Sequence, residues 1–183
     1  MAAPGRDHAM RNPPRANDSG QALVEFAISA TLMLTLVFAV VDFSRAIFIK
    51  EVITNLTGEG SSMASRGSTL SATAAAVVAA SAPLNLSLNG RVIVSSVFNN
   101  NNKLQLTGQV SQGAMGASSQ IGSTIGGTAI LPSLVTPQLN QTVYVTEVFY
   151  KYKPITPVGK FLVGIVLPGG KASFLKLTAT VNV

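Results

Sequence analysis

The sequence predicts an α+β protein in which a long N-terminal transmembrane helix leads into a small antiparallel β-sheet domain. Three observations carry this expectation. Residues 22–41 hold a single charge, Glu25, in twenty positions. Beyond them, apolar and small residues recur at alternating spacings of three and four as far as Leu70. After Pro83 the period of the pattern falls to two, the signature of strands.

Composition sets the outer limits. The chain has 183 residues, enough for one modest domain and a membrane segment. It is 47% hydrophobic and 11% charged, whereas an ordinary soluble domain carries about 25% charged residues. Only one apolar run is long enough to span a bilayer, which argues against a polytopic protein. There is no cysteine, so disulfides, iron–sulfur clusters and thiolate chemistry lack their ligand. The single histidine is His8, which leaves a Ser-His-Asp triad and a multi-histidine metal site without ingredients. Glu147 is the only acid after Glu59, so the sheet domain offers no carboxylate pair for acid–base work. The expectation is a protein that is not an enzyme and has no cofactor or metal. The net charge is +6, but the bases are scattered and only Lys151, Lys153 and Lys160 cluster, which argues against nucleic acid as a partner.

Taken in order, residues 1–20 read as a cytoplasmic leader. Pro4, Pro13 and Pro14 break helix, and Arg6, Arg11 and Arg15 ahead of the apolar run favour an N-terminus that stays inside. Residues 21–45 form the expected transmembrane helix. The twenty residues 22–41 make about 30 Å of helix, one hydrocarbon thickness. No small-x-small cleavage site closes the run; Asp42-Phe43-Ser44-Arg45 follows directly. Glu25 stands out, because a carboxylate inside a bilayer costs a few kcal/mol, on the order of 3, and usually has a functional partner. The alternative is that it sits near the interface and snorkels. Asp42 and Arg45, three apart, read as an exposed surface pair worth about 0.2–0.5 kcal/mol, or else as a helix contact in an assembly.

Residues 46–82 continue the helix. The seam of Ala46, Ile49, Ile53, Leu56, Gly60 and Met63 serves either a helix lying on its own domain or one packed against sibling helices. Gly58, Gly60 and Gly67 predict a kink near 58–67, with Ser68 as the N-cap of a second segment that Pro83 ends.

Residues 83–183 are the expected extracytoplasmic sheet domain. Residues 91–98 and 103–110 flank four asparagines, Asn99 to Asn102, and predict a hairpin. Residues 111–127, rich in Gly, Ser, Ala and Gln, read as a flexible loop. Residues 142–152 are the strongest strand, with Tyr144, Tyr150 and Tyr152 packing on the sheet and keeping their hydroxyls wet. Residues 160–167 are apolar but too short to span; they suit a buried turn or a foot of the domain near the membrane. Residues 172–183 alternate cleanly, with Leu175, Leu177, Ala179, Val181 and Val183 expected to face inward. One apolar face of the sheet is expected to be covered by the helix.

One block carries a resemblance. Gly20-Gln21-Ala22-Leu23-Val24-Glu25-Phe26-Ala27, followed by an apolar run and then Asp42-Phe43-Ser44-Arg45, is similar to the processing region of type IV prepilins. It most resembles the TadE-like minor pseudopilins of the tight adherence (Flp, Tad-type) pilus. The strand Val143-Tyr144-Val145-Thr146-Glu147-Val148-Phe149-Tyr150 resembles the family's Tyr-containing strand, while the stretch between Pro83 and Gln141 carries no matching motif. The resemblance implies a pilin-like fold and a structural and assembly role in a pilus used for surface adherence. It implies cleavage after Gly20 by a membrane prepilin peptidase, with Gln21 as the new N-terminus. Glu25 and Phe26 would serve recognition and assembly, Glu25 pairing with the N-terminal amine of a neighbouring subunit. The implied partners are the prepilin peptidase, other pilins or pseudopilins through the N-terminal helix, the inner-membrane assembly platform and membrane lipid. The implied location is the bacterial inner membrane, single-pass, with the C-terminal domain outside and the subunit able to enter the pilus. Beside this stands a reading without pili: an uncleaved, signal-anchored envelope protein whose outer domain binds a partner.

Overall fold

The computed structural model describes the backbone of residues 16–131, 137–166 and 172–181, and the side chains of residues 19–131 and 137–161. Helix α1 (Ala16–Ser65) is continuous for 50 residues, about 75 Å at the rise of an α-helix. Helix α2 (Leu70–Ala79) returns beside it, and the short α3 (Leu86–Asn89) leads into strand β1 (Gly90–Asn100). Strands β2 (Lys103–Gln112) and β3 (Thr142–Tyr152), helix α4 (Pro157–Val166) and strand β4 (Ala172–Val181) follow. The four strands form one antiparallel sheet in the order β2-β1-β3-β4. The α+β class read from the sequence is the class observed. The facing of Leu175, Leu177, Ala179, Val181 and Val183 lies outside the described side chains; the backbone of β4 sets Leu177 opposite Glu147 and Leu175 opposite Phe149.

Residues 19–37 of α1 are exposed throughout and stand clear of the domain. The second half packs. Ile49, Ile53, Leu56 and Ala64 are buried against Val77 of α2, Val92 and Val94 of β1, and Val148, Tyr150 and Tyr152 of β3. Each fully buried Ile or Leu contributes about 1.5–3 kcal/mol, so the seam is a large part of what holds the helix to the sheet. The seam therefore lies on its own domain. Gly60 is where the backbone comes nearest: a Cβ there would meet Val77 Cγ2 at 2.9 Å and Thr146 Cγ2 at 3.0 Å. At the next residue, the Thr146 N–H donates to Ser61 Oγ at 3.2 Å.

The helix runs through Gly58 and Gly60 without a break. It ends after Ser65 in a Schellman turn, with Ser68 N–H on Met63 O at 3.2 Å and Gly67 N–H on Ala64 O at 3.1 Å. Gly67 takes φ +97°, which a side chain rarely adopts. The N-cap of α2 is Thr69, one residue beyond the expected Ser68, and its hydroxyl accepts from Ala72 N–H at 3.2 Å.

The asparagine run does what its chemistry suits. Asn101 and Asn102 both take positive φ, 51° and 64°, and Asn100 pairs with Lys103. This is the two-residue hairpin turn whose twist matches the strands.

The sheet differs from the expectation of a single covered face. Its second face is also covered, by the glycine-rich stretch expected to be a flexible loop. Ile121 and Ala129 pack on Val97, Leu106, Val143 and Val145 as a second apolar cluster. The loop is stitched to the edge strand β2 by Ala129 N–H on Leu104 O, 2.9 Å, and Leu106 N–H on Gly127 O, 3.0 Å. Arg91 ties its start, donating to Ser111 Oγ at 2.8 Å and Met115 O at 3.2 Å. Small residues make this possible, because the loop lies flat on the strands and few side chains stand in its way.

Glu147 is the polar centre of that face. It is 0% exposed. Its Oε1 accepts from Gln120 N–H at 2.7 Å, and its Oε2 is bonded to the Ser119 hydroxyl, which itself accepts from Ile121 N–H at 3.1 Å. Burial pushes the carboxyl above its ordinary value, and the two hydrogen bonds from Ser119 and Gln120 pull it back only in part. A carboxyl whose folded pKa is raised stabilises the fold below its unfolded value, about 4.3, and loses that contribution as pH rises through the folded value. Glu147→Gln, which keeps the shape without the charge, is therefore expected to match wild type near pH 4. It should become the more stable of the two as the pH is raised past the elevated value. Thermal melts of both proteins across this range check it; equal pH slopes would contradict the burial argument.

Candidate functional site

Two places on α1 hold the residues that the sequence singles out. The first is the mouth of the helix. Gly20 lies in the first turns of α1, and a Cβ added there would meet no atom within 4 Å. Packing therefore gives no reason for glycine at this position, in contrast to Gly60. Gln21, Glu25 and Phe26 are all exposed. The only bond described for Glu25 is local, from Gln21 Nε2 to its Oε1 at 3.1 Å. Among the described residues this carboxylate on an apolar helix has no cationic partner, only the local bond from Gln21, which leaves its charge available to another molecule.

The second place is the joint where α1 leaves the apolar run. Asp42 was expected to form an exposed pair with Arg45. Instead it is 8% exposed and bonded to the segment after β3. Its Oδ1 accepts from Ile155 N–H at 3.1 Å, and its Oδ2 from the Thr156 hydroxyl. Thr156 Oγ1 in turn accepts from Gly159 N–H at 3.1 Å in the first turn of α4. The Tyr152 hydroxyl donates to the Asp42 carbonyl at 3.0 Å. That hydroxyl is not wet, and burial together with the Asp42 charge raises its pKa. Arg45 is half-buried and its Nη1 makes no hydrogen bond among the described residues. The Arg45 charge still acts on Asp42, but the carboxylate is buried and its hydrogen bonds go to a clamp between residues more than a hundred positions apart.

Gly159 completes the clamp. A Cβ there would fall 1.9 Å from Asp42 Oδ2, so only glycine lets α4 start against the helix. Sequence reasoning missed Ile155, Thr156 and Gly159. The one local signal was Pro154-Ile155-Thr156-Pro157, two prolines that stop β3 and turn the chain back toward α1. An apolar groove of about 480 Å³ opens beside the joint, lined by Leu36, Ala39, Val40, Phe43, Tyr152 and Pro154.

A long apolar helix heading a small sheet domain, with one stretch from Ser19 long and apolar enough to cross a membrane, is the architecture of a single-pass membrane protein. The TadE-like protein family matches residues 20–62, from Gly20 almost to the end of α1. That segment is TadE-like, and it contains both the mouth of the helix and Asp42. No curated protein and no solved structure matches the chain.

Proposed function

We propose that the protein is a minor pseudopilin, a non-enzymatic structural and assembly component of a Tad-type pilus involved in surface adherence. The TadE-like segment supports a component associated with that pilus. The single observation that carries the finer reading is the mouth of α1: a glycine without a packing role, followed by a carboxylate with no cationic partner among the described residues. Prepilin peptidase cuts the chain after Gly20 and leaves Gln21 as the N-terminus. Glu25 then pairs with the terminal amine of a neighbouring pilin or pseudopilin in the inner membrane. An ion pair within lipid offsets much of the cost of each charge, and either charge alone is penalised. The stagger between subunits is set by that pair, and the assembly platform receives the helix with its domain on the outer side.

Mass spectrometry of membrane-extracted protein tests the cut. In cells holding the matching peptidase, the expected mass is that of a chain beginning at Gln21; an intact Met1–Val183 chain would favour a signal-anchored envelope protein instead. Glu25→Val separates cleavage from assembly. Processing is expected to proceed as in wild type while incorporation into pili falls to background. A variant that assembles normally would remove the carboxylate from the proposal.

A further inference from the structure

We propose that the membrane-proximal end of the domain is a lipid-binding foot, with α4 and the turn before it resting on the bilayer surface beside the exit of α1. This rests on the reading of residues 22–41 as membrane-spanning. Asp42 is the first residue past that run, and it holds the turn directly through Ile155 N–H and Thr156. The turn is therefore pinned at the height where the hydrocarbon ends. Phe161 is five residues into the same segment, at most about 7.5 Å of helix from Thr156, a distance no greater than the depth of the interfacial layer, about 5–7.5 Å on each side.

The residues at this height are those an interface favours. Ile155 is 55% and Phe161 69% exposed, large apolar side chains with no cover from the domain. Phe43, Ile47 and Phe48 of α1 are exposed as well, and Phe43 lines one groove with Pro154 and Gly159 of the foot. Helix α4 carries one charge in its ten residues, Lys160. Lys160 of α4 and Lys153 of the turn before it are exposed, and Lys151 at the end of β3 is half-exposed, so bases from three neighbouring segments are placed to reach phosphate headgroups while Ile155 and Phe161 enter the acyl boundary. Charge also decides between lipid and a second copy of this chain. A second copy docking there in two-fold fashion would bring the same lysines face to face, whereas an anionic leaflet complements them. The open groove between α1 and Tyr152 has the apolar lining to take an acyl chain at the same depth.

The chain has no cysteine, so single nitroxide labels can be placed on the full-length protein in vesicles of phosphatidylcholine and phosphatidylglycerol. The label sites are Phe161→Cys, Phe26→Cys in the span and Ile125→Cys, an exposed position on the loop. The Phe161 label is expected to collide with oxygen as often as the Phe26 label. Its collisions with a water-soluble nickel chelate should be about tenfold fewer than those of the Ile125 label, as for a side chain in the headgroup–acyl boundary. Nickel collisions as frequent as at Ile125 would overturn the foot. Few collisions with both reagents would also overturn it, because they mean cover by protein. An aqueous reading at Phe26 would instead show that the spanning helix itself is misassigned, and the foot falls with it. Replacing Lys153 and Lys160 together with glutamine should raise the nickel collisions at Phe161; no change would remove the lysines from the contact.

Discussion

Asp42→Ala is expected to lower the melting temperature of the full-length protein in mild detergent by roughly 5–10 °C. The substitution strips the acceptor from the Ile155 N–H and the Thr156 hydroxyl at once. A buried donor left without a partner costs about 1–3 kcal/mol. Two of them, partly relieved by water once the joint loosens, come to about 2–4 kcal/mol, and a chain of this size loses about 2–4 °C per kcal/mol. The loss should be local as well as global. Hydrogen exchange at Ile155 and Gly159 is expected to quicken before that of Val148 or Thr146, because only the former depend on the clamp. Asp42→Asn retains one carbonyl acceptor and should fall between. A wild-type melting curve for Asp42→Ala would mean that the apolar seam alone docks the helix.

Gly60→Leu is expected to cost more than 3 kcal/mol or prevent α1 from docking at all. Even the first added carbon is 2.9 Å from Val77 Cγ2 and 3.0 Å from Thr146. The three carbons beyond it have nowhere to go between two helices and a sheet. Overpacking of a tight core costs about 1–3 kcal/mol for added methylenes, and more where backbone elements must separate. Gly58, two residues away on the same helix, is the control, since a Cβ there meets nothing within 4 Å. Gly58→Ala should stabilise by up to about 1 kcal/mol through helix propensity alone. Opposite signs at two glycines of one helix, read from denaturant or thermal unfolding, distinguish packing from propensity. Destabilisation at both would place the constraint in the backbone of α1 instead.

The two joints have different relations to the sequence. The seam through Ile49, Ile53, Leu56 and Gly60 repeats at helical spacing, so its existence could be read directly. What it packs against could not, because a seam presents the same pattern to its own sheet and to a neighbour. The hairpin was legible because asparagines at positive φ are a local requirement of a two-residue turn. The mouth of the helix was legible for the same reason: Gly20, Gln21 and Glu25 are close in sequence, and the cost of a carboxylate in an apolar run needs no tertiary information.

The sequence by itself determined the α+β class, the spanning run with its one glutamate, the helix seam and the asparagine turn, all of them features whose physics is complete within a few residues. Only the tertiary structure decided the rest. Asp42 and Arg45 look like a surface pair because they are three apart, yet Asp42 is claimed by Ile155 and Thr156, 113 and 114 positions away. The stretch 111–127 reads as flexible because it lacks apolar periodicity. It is instead bound to the sheet through backbone groups and through Glu147, and neither leaves a pattern in the local sequence. Gly159 could not be told from any other glycine until α4 was seen starting against a carboxylate. Contacts closed across so many residues are chosen by the packing of the whole domain, and that packing turns a surface charge into the clamp between membrane helix and sheet.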